Sequence, residues 1–134
     1  IKSAHFGRAI AWHRDYPNGY ISTQQSDFIR IMLCLDGMDS ENGATVFARG
    51  SHRISDEEAL VQKKQLDRSA IEHLAPAFCA AGSMVLIHPK VLHGGGINQS
   101  PKPRRNIVVQ LGRAGRDFTA LSTESMTGTL LSLR

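Results

Sequence analysis

Residues 82–112, GSMVLIHPKVLHGGGINQSPKPRRNIVVQLG, decide the fold that we expect this chain to adopt. Two segments in this stretch, residues 83–88 (SMVLIH) and 106–111 (NIVVQL), are rich in β-branched residues and are the clearest predicted strands. Glycines and prolines separate them, as is typical of turns between strands. The stretch therefore predicts a β-rich domain.

Shorter strands are predicted elsewhere, at residues 9–15, 28–35 and 44–48, and turn residues follow each of them. One segment differs from this pattern. The run Ser-Asp-Glu-Glu that begins at Ser55 is a capping box, and the charged residues after it suit a surface helix through about Glu72. Many short strands with one helical insertion favour an all-β sandwich or jelly roll.

The composition limits the possible partners. At 134 residues, 41% hydrophobic and 21% charged, the chain has the size and composition of one soluble globular domain. No apolar run approaches the roughly 20 residues that cross a membrane, and residues 1–5 do not begin a signal peptide. A net charge of +4 with 6% aromatic residues lacks the dense basic stripe of a nucleic-acid binder. We therefore expect neither a nucleic-acid nor a membrane partner.

Two cysteines, Cys34 and Cys79, lie in apolar stretches without the CxxC spacing of redox or metal motifs. This arrangement is typical of reduced thiols in the core of a cytoplasmic protein. The expected location of the chain is therefore the cytoplasm.

The tripeptide His13-Arg14-Asp15 is the first pattern that carries chemistry. Residues two apart on a strand project to the same face, so His13 and Asp15 can hold one metal ion together. An imidazole and a carboxylate are two of the three ligands in the facial triad of non-haem iron(II) oxygenases. Alone the pattern is weak, because histidine and aspartate often stand this close by chance.

His93 is the candidate third ligand. It precedes three glycines, which permit positive φ and a close approach of the backbone to a bound group. Arg104 and Arg105 open the last predicted strand, and a guanidinium can bind a carboxylate through two parallel hydrogen bonds. Arg104 is favoured because its face of the strand, the even positions, is polar apart from Val108 and suits a pocket. The odd positions are apolar beyond Arg105 and suit packing against neighbouring structure.

Three separated strings carry a resemblance to a known family: AWHRDYPNG at residues 11–19, LDGMDSENGATVFARGSHR at residues 35–53, and the stretch at residues 82–112. Together they resemble the phytanoyl-CoA dioxygenase (PhyH-like) family of iron(II)- and 2-oxoglutarate-dependent oxygenases, over residues 9–112. The resemblance implies a double-stranded β-helix (jelly roll, cupin-like) with a short helical insertion. It also implies a dioxygenase that uses iron(II), 2-oxoglutarate and O2 and releases succinate and carbon dioxide.

Carried over position by position, the resemblance implies that His13, Asp15 and His93 are the iron ligands. It implies that Arg104 binds the distal carboxylate of 2-oxoglutarate. Gly95 belongs to the same co-substrate pocket, at a position where relatives often have serine. Because halogenating relatives lack the metal-binding carboxylate, the presence of Asp15 implies hydroxylation or a related oxidation.

Residues 1–134 are expected to form a single double-stranded β-helix core that lacks the N-terminal helical extension usual in the family. The implied substrate is a small organic metabolite, and a role in secondary metabolism is expected. Arg30 and Met32 share a face of their strand and could line the substrate pocket, although packing within the sandwich explains them equally well. His88, on an apolar segment, is expected to be a core or metal-supporting histidine.

Two other functions are consistent with the same residues. A non-catalytic metal-binding domain of the jelly-roll or cupin type would keep the three ligands but would have no use for Arg104. Catalytic zinc also binds two histidines and a carboxylate. A zinc hydrolase is less favoured, because the sequence has no HExxH pattern and no candidate general base near His93.

Overall fold

The computed structural model describes residues 1–5, 7–17, 22–23, 26–66, 73–113 and 118–119. Within these residues the chain is mostly β, with one helix, α1, at Asp56–Leu66. The strands are β1 (Ile10–His13), β2 (Ser22–Thr23), β3 (Phe28–Cys34), β4 (Thr45–Ala48), β5 (Leu74–Pro76), β6 (Ser83–Ile87), β7 (His93–Gly95), β8 (Asn106–Gly112) and β9 (Phe118–Thr119).

All strand pairs are antiparallel. One sheet has four strands in the order β1-β7-β4-β5, a second has three in the order β6-β3-β8, and β2 pairs with β9. Apart from β4 and β5, paired strands are not consecutive in sequence, as the crossed connections of a double-stranded β-helix require. The predicted all-β fold with one helical insertion is confirmed.

The core lies between the two sheets and is anchored by the inner face of β3. Residues two apart on a strand share a face, and Phe28, Met32 and Cys34 are each at most 5% exposed. β3 is the central strand of its sheet, so partners on both sides continue the same inner face. The core cluster, Met32, Cys34, Met38, Ala44 and Ile87, also contacts Phe47 of β4 and so joins the two sheets.

The outer face of the three-stranded sheet is apolar and exposed. The sequence predicted that the odd-numbered side chains of β8 pack against neighbouring structure. Within the described ranges they do not, because no described element covers this side of the sheet. The exposed side chains are Met84, Leu86, Ile107, Val109 and Leu111, with exposures between 39% and 63%.

Helix α1 begins at the predicted capping box. The Glu58 amide donates to Ser55 Oγ at 3.1 Å, and the Ser55 amide donates to Glu58 Oε2 at 2.9 Å. Ala59 is buried whereas Leu60 and Val61 are more than half exposed, so the helix lies on the surface as expected. The predicted extension over residues 67–72 lies outside the described residues. No helix in the described part of the chain is long and apolar enough to span a membrane.

Strands β2, β5, β7 and β9 were not predicted, and β7 is the one that contributes a residue to the site. It contains two glycines, which are poor strand formers, and its pairing with β1 and β4 is what makes it a strand. A Cβ on Gly94 would come within 2.9 Å of the Ile10 carbonyl oxygen. Glycine at this position therefore permits the close approach of β1 to β7.

Ser51 ties the end of β4 to the residue before His93. Its side chain is fully buried, and its Oγ donates to the Ala48 carbonyl at 2.7 Å. The same oxygen accepts a hydrogen bond from the Leu92 amide at 2.8 Å. A serine in this turn thus holds the backbone that presents His93.

We predict that Ser51→Ala lowers the free energy of unfolding by about 1–3 kcal/mol, because it leaves the buried Leu92 amide without its acceptor. Urea unfolding followed by circular dichroism measures this change. Ser40→Ala, at an exposed turn position, is the matched control and should change stability by less than about 0.5 kcal/mol. Equal effects of the two substitutions would contradict the structural role of Ser51.

Candidate metal centre

His13 and Asp15 come together at the end of β1. His13 is the last residue of the strand, and Asp15 follows two residues later on the same side. The distance from His13 Nε2 to Asp15 Oδ1 is 3.7 Å. The Asp15 side chain is fully buried whereas the His13 side chain is 35% exposed, so the site opens to solvent on the His13 side.

His93 joins this pair from the neighbouring strand. It stands directly opposite His13 in the β1–β7 pairing, and the two ring centroids are 4.3 Å apart. His93 Nε2 lies 3.9 Å from Asp15 Oδ1. One ligand atom from each of the three residues lies within 4.8 Å of the others, a spacing that suits coordination of a single ion.

Backbone carbonyls set the orientation of both imidazoles. His13 Nδ1 lies 2.8 Å from the Ala11 carbonyl oxygen, and His93 Nδ1 lies 3.0 Å from that of Val91. A carbonyl can only accept, so Nδ1 is the protonated nitrogen in each ring and Nε2 offers its lone pair to the site. Burial lowers the pKa of His93 despite the opposing effects of Val91 and Asp15, which favours the neutral, metal-binding form.

The Asp15 carboxylate is the least satisfied group of the site. Both its oxygens are buried, and neither accepts a hydrogen bond from the described part of the chain. Arg30 Nη1 lies 2.8 Å from Oδ1 as an ion-pair partner. A buried carboxylate without hydrogen bonds is costly, and a divalent cation held with the two Nε2 atoms would satisfy it. The donor set of two imidazoles and one carboxylate fits iron(II), and it also fits zinc.

Arg30 reaches the metal centre from β3. Its Nε donates to Gln110 Oε1 at 3.2 Å, which holds the side chain between β8 and Asp15. Met32 shares this inner face but is only 5% exposed and packs in the core cluster. Of the two residues predicted to line a substrate pocket, Arg30 therefore lies beside the metal ligands and Met32 lies deeper.

Arg104 and Arg105 point in opposite directions. Arg104 is 4% exposed, its Nε donates to the Asn42 carbonyl at 3.2 Å, and no carboxylate among the described residues pairs with it. Arg105 is exposed and forms an ion pair with Asp36, with Nη2 and Oδ1 2.6 Å apart. Its guanidinium lowers the pKa of Asp36 to about 2. The alternation of side chains along the strand thus correctly predicted which of the two arginines is buried.

Asn106 also faces Arg104. With its side-chain oxygen turned toward Arg104, it accepts a hydrogen bond from Nη1 at 2.7 Å. Asn106 lies on the inner face of β8, two residues along from Arg104. Arg104 and Asn106 of the predicted polar face therefore point inward, whereas Val108 on the same face is 55% exposed.

Lys2 is a buried residue that the sequence did not single out. It is 7% exposed, and its Nζ hydrogen-bonds to the carbonyl oxygens of Gly43, at 3.2 Å, and Gly96. Its backbone pairs with that of Arg104 in both directions at 2.8 Å. No local pattern marks a lysine near the start of a chain as buried, because its burial depends on residues about a hundred positions away.

His88 does not belong to the core. It is exposed, its ring lies 5.2 Å from that of His52, and its Nδ1 accepts a hydrogen bond from the Lys90 amide. The prediction of a core histidine is wrong because β6 ends at Ile87, so His88 falls in the turn after it.

Helix α1 borders a cleft beside the metal centre. Arg14 Nη1 pairs with Asp56 Oδ1 at 2.6 Å and so links the end of β1 to the first turn of the helix. The cleft is lined by His13, Arg14, Pro17, Asp56, Ala59, Leu60, Lys63 and Leu92. The helical insertion therefore forms one wall of the approach to His13.

Comparison with known proteins identifies related sequences. The family model of phytanoyl-CoA dioxygenase (PhyH) matches residues 1–106. Two proteins described as uncharacterized, from Mycobacterium tuberculosis and Mycobacterium bovis, are each 32% identical to the chain over 107 residues. These matches cover 78% of this chain but 35% of each relative, so the chain spans about a third of their length.

Solved structures share the fold. EctD from S. alaskensis with bound Fe has a TM-score of 0.71 at 20% identity, covering 89% of this chain and 44% of its own. AviO1 from Streptomyces viridochromogenes has a TM-score of 0.69 at 23% identity, covering 87% of this chain and 48% of its own. EvdO2 from Micromonospora carbonacea, complexed with 2-oxoglutarate, has a TM-score of 0.59 at 20% identity, covering 87% and 52%. Because the PhyH model matches residues 1–106 of 134, the chain belongs to the phytanoyl-CoA dioxygenase family.

Proposed function

We propose that this chain is the core of an iron(II)- and 2-oxoglutarate-dependent dioxygenase that hydroxylates, or otherwise oxidises, a small organic metabolite. The observation that carries the proposal is the fully buried Asp15 carboxylate, which faces two Nε2 atoms and accepts no hydrogen bond within the described residues. Relatives of the same fold support it, since EctD was solved with bound Fe and EvdO2 with 2-oxoglutarate.

In this proposal each residue has a defined task. His13, Asp15 and His93 hold the iron through one carboxylate oxygen and two Nε2 atoms, and the Ala11 and Val91 carbonyls keep both rings in the coordinating tautomer. When bound, iron(II) and 2-oxoglutarate convert O2 and a substrate C–H group to the hydroxylated product, succinate and carbon dioxide. The protein supplies placement of the reactants and exclusion of water.

Arg104 is proposed to bind the distal carboxylate of 2-oxoglutarate. It is buried, and it forms no ion pair with a carboxylate of the described residues. A fixed guanidinium can bind a carboxylate with good geometry, and the interaction is strong in a buried site. Gly95, two residues beyond His93, is proposed to border the same pocket.

The substrate is proposed to approach from the open side of the metal centre. His13 and Arg30 are the partly exposed groups there, and the cleft along α1 leads to His13. Met32 lies deeper on the same face and would support the pocket from below. Because Asp15 occupies the carboxylate position, we propose hydroxylation or a related oxidation and not halogenation.

We predict that the protein binds one iron(II) at this triad and that Asp15→Ala weakens binding by more than about 100-fold, since changes outside the ligand set alone cost about 10–100-fold. Anaerobic titration, or cobalt(II) absorption as a proxy, measures the affinity. His88→Ala is the matched control, because that imidazole is exposed and outside the triad. If His88→Ala weakened iron binding and Asp15→Ala did not, the metal would bind outside the His13, Asp15 and His93 triad.

We predict that the wild-type protein with iron(II) forms succinate from 2-oxoglutarate and O2, faster with some members of a panel of small metabolites. Asp15→Ala should abolish this turnover, because one of the three iron ligands is lost. Equal inactivity of both proteins across the panel, with iron still bound to the wild type, would indicate a non-catalytic metal-binding domain.

We predict that Arg104→Met weakens 2-oxoglutarate binding by about 10–100-fold, as expected for the loss of a charge-assisted hydrogen bond worth about 1.5–3 kcal/mol. Arg105→Met is the control and should leave the affinity unchanged, because Arg105 is exposed and paired with Asp36. The absorption band of the anaerobic iron–2-oxoglutarate complex provides the measurement. A larger loss of 2-oxoglutarate affinity in Arg105→Met than in Arg104→Met would assign the carboxylate-binding role to Arg105.

A further inference from the structure

Arg30 is the cationic partner of the Asp15 carboxylate among the described residues. Its Nη1 lies 2.8 Å from Asp15 Oδ1, and the Asp15 side chain is fully buried whereas that of Arg30 is 20% exposed. The contact is an ion pair without hydrogen-bond alignment, because Oδ1 accepts no hydrogen bond from the described part of the chain. Arg30 therefore compensates the charge of the carboxylate and leaves its lone pairs without a donor.

The oxygen that Arg30 contacts is also the one that faces the two imidazoles. His13 Nε2 lies 3.7 Å from Asp15 Oδ1, and His93 Nε2 lies 3.9 Å from the same atom. A divalent cation bound by both Nε2 atoms and this oxygen would share the oxygen with Arg30. The ion and the guanidinium are therefore two positive charges that compete for one carboxylate.

Arg30 is held beside the triad from the side of β8. Its Nε donates to Gln110 Oε1 at 3.2 Å. Arg30 and Gln110 stand opposite each other in the β3–β8 pairing, so the sheet fixes the position of the acceptor. The guanidinium can leave Asp15 only by breaking this hydrogen bond. Its positive charge is thus anchored next to the metal ligands.

Two opposing effects decide how Arg30 changes the metal affinity of the triad. Repulsion between cations lowers the affinity, and unit charges about 4 Å apart at the effective dielectric constant of a protein change an equilibrium constant roughly 1,000-fold. A partner that orients a metal ligand raises the affinity, and its loss costs about 10–100-fold. The charge effect is the larger of the two, so its removal should strengthen metal binding by about 10-fold or more.

We propose that Arg30 takes the place of the metal ion in the metal-free protein, where it holds the buried Asp15 carboxylate in position, and that it lowers the affinity of the triad for divalent cations. This inference rests on the proposed function, since it assigns a positioning residue to the metal centre. Arg30 acts through Asp15 and is not a ligand, because a protonated guanidinium has no lone pair to offer a metal. Iron(II) then binds in competition with an internal cation.

Anaerobic titration of the full chain with iron(II) tests the inference, and zinc is the second, redox-inactive probe. Arg30→Gln keeps side-chain N–H groups on β3 but removes the charge, so we expect it to bind both metals about 10-fold or more tightly than the wild type. Arg30→Lys keeps the charge and should bind both metals like the wild type. Arg8→Met removes an exposed arginine and is the matched control, with no expected change in affinity.

Thermal unfolding gives a readout that a purely structural arginine would not produce. In the metal-free protein Arg30→Gln leaves the Asp15 charge uncompensated, so we expect a lower Tm than that of the wild type. Saturating zinc supplies the missing positive charge, so the difference in Tm between the two proteins should shrink. A variant that folds only in the presence of zinc would support the inference equally.

Two outcomes would overturn the inference alone. The first is an affinity of Arg30→Gln for iron(II) and zinc that is equal to or weaker than that of the wild type. The second is a loss of Tm in this variant that is the same with and without zinc. A wild-type protein that binds both metals no better than Asp15→Ala would instead overturn the proposed function itself, and this inference with it.

Discussion

The burial of one carboxylate, Asp15, is the constraint on which the rest of the site depends. A buried charge must be compensated, and the Arg30 guanidinium is its cationic partner among the described residues. The two imidazole Nε2 atoms also face the carboxylate with their lone pairs, so a bound cation would complete the compensation. Each of those groups is itself held by other contacts. Carbonyls orient both rings, and Gln110 orients Arg30. The groups around Asp15 are therefore held in place by contacts among the described residues.

Positive charge is distributed unevenly along the inner face of the three-stranded sheet. At one end Arg30 is paired with the Asp15 carboxylate, and at the other Arg104 is buried and forms no ion pair with the described residues. Under the proposed function, the metal centre would hold one end of 2-oxoglutarate and Arg104 would bind the distal carboxylate at the other.

Much of the fold and the metal centre followed from local patterns. Runs of β-branched residues marked β3, β6 and β8 to within about a residue, and a capping box marked the start of α1. The two-residue period of a strand predicted that His13 and Asp15 share a face and that Arg104 and Arg105 point to opposite faces. The same patterns failed for β7, a glycine-rich segment that is a strand only because β1 and β4 pair with it. They also failed for His88, whose exposure depends on where β6 ends.

The sequence by itself determined which side chains could act as metal ligands, which arginine faces inward, and that the domain is built from short strands. These properties depend on residue type and on spacings of a few residues, which a local pattern records. Only the tertiary structure decided that His93 stands opposite His13, that Arg30 contacts Asp15, and that Lys2 is buried beside Arg104. Those contacts join residues that are 15 to about 100 positions apart, and long-range pairing between strands, which no local spacing encodes, brings them together.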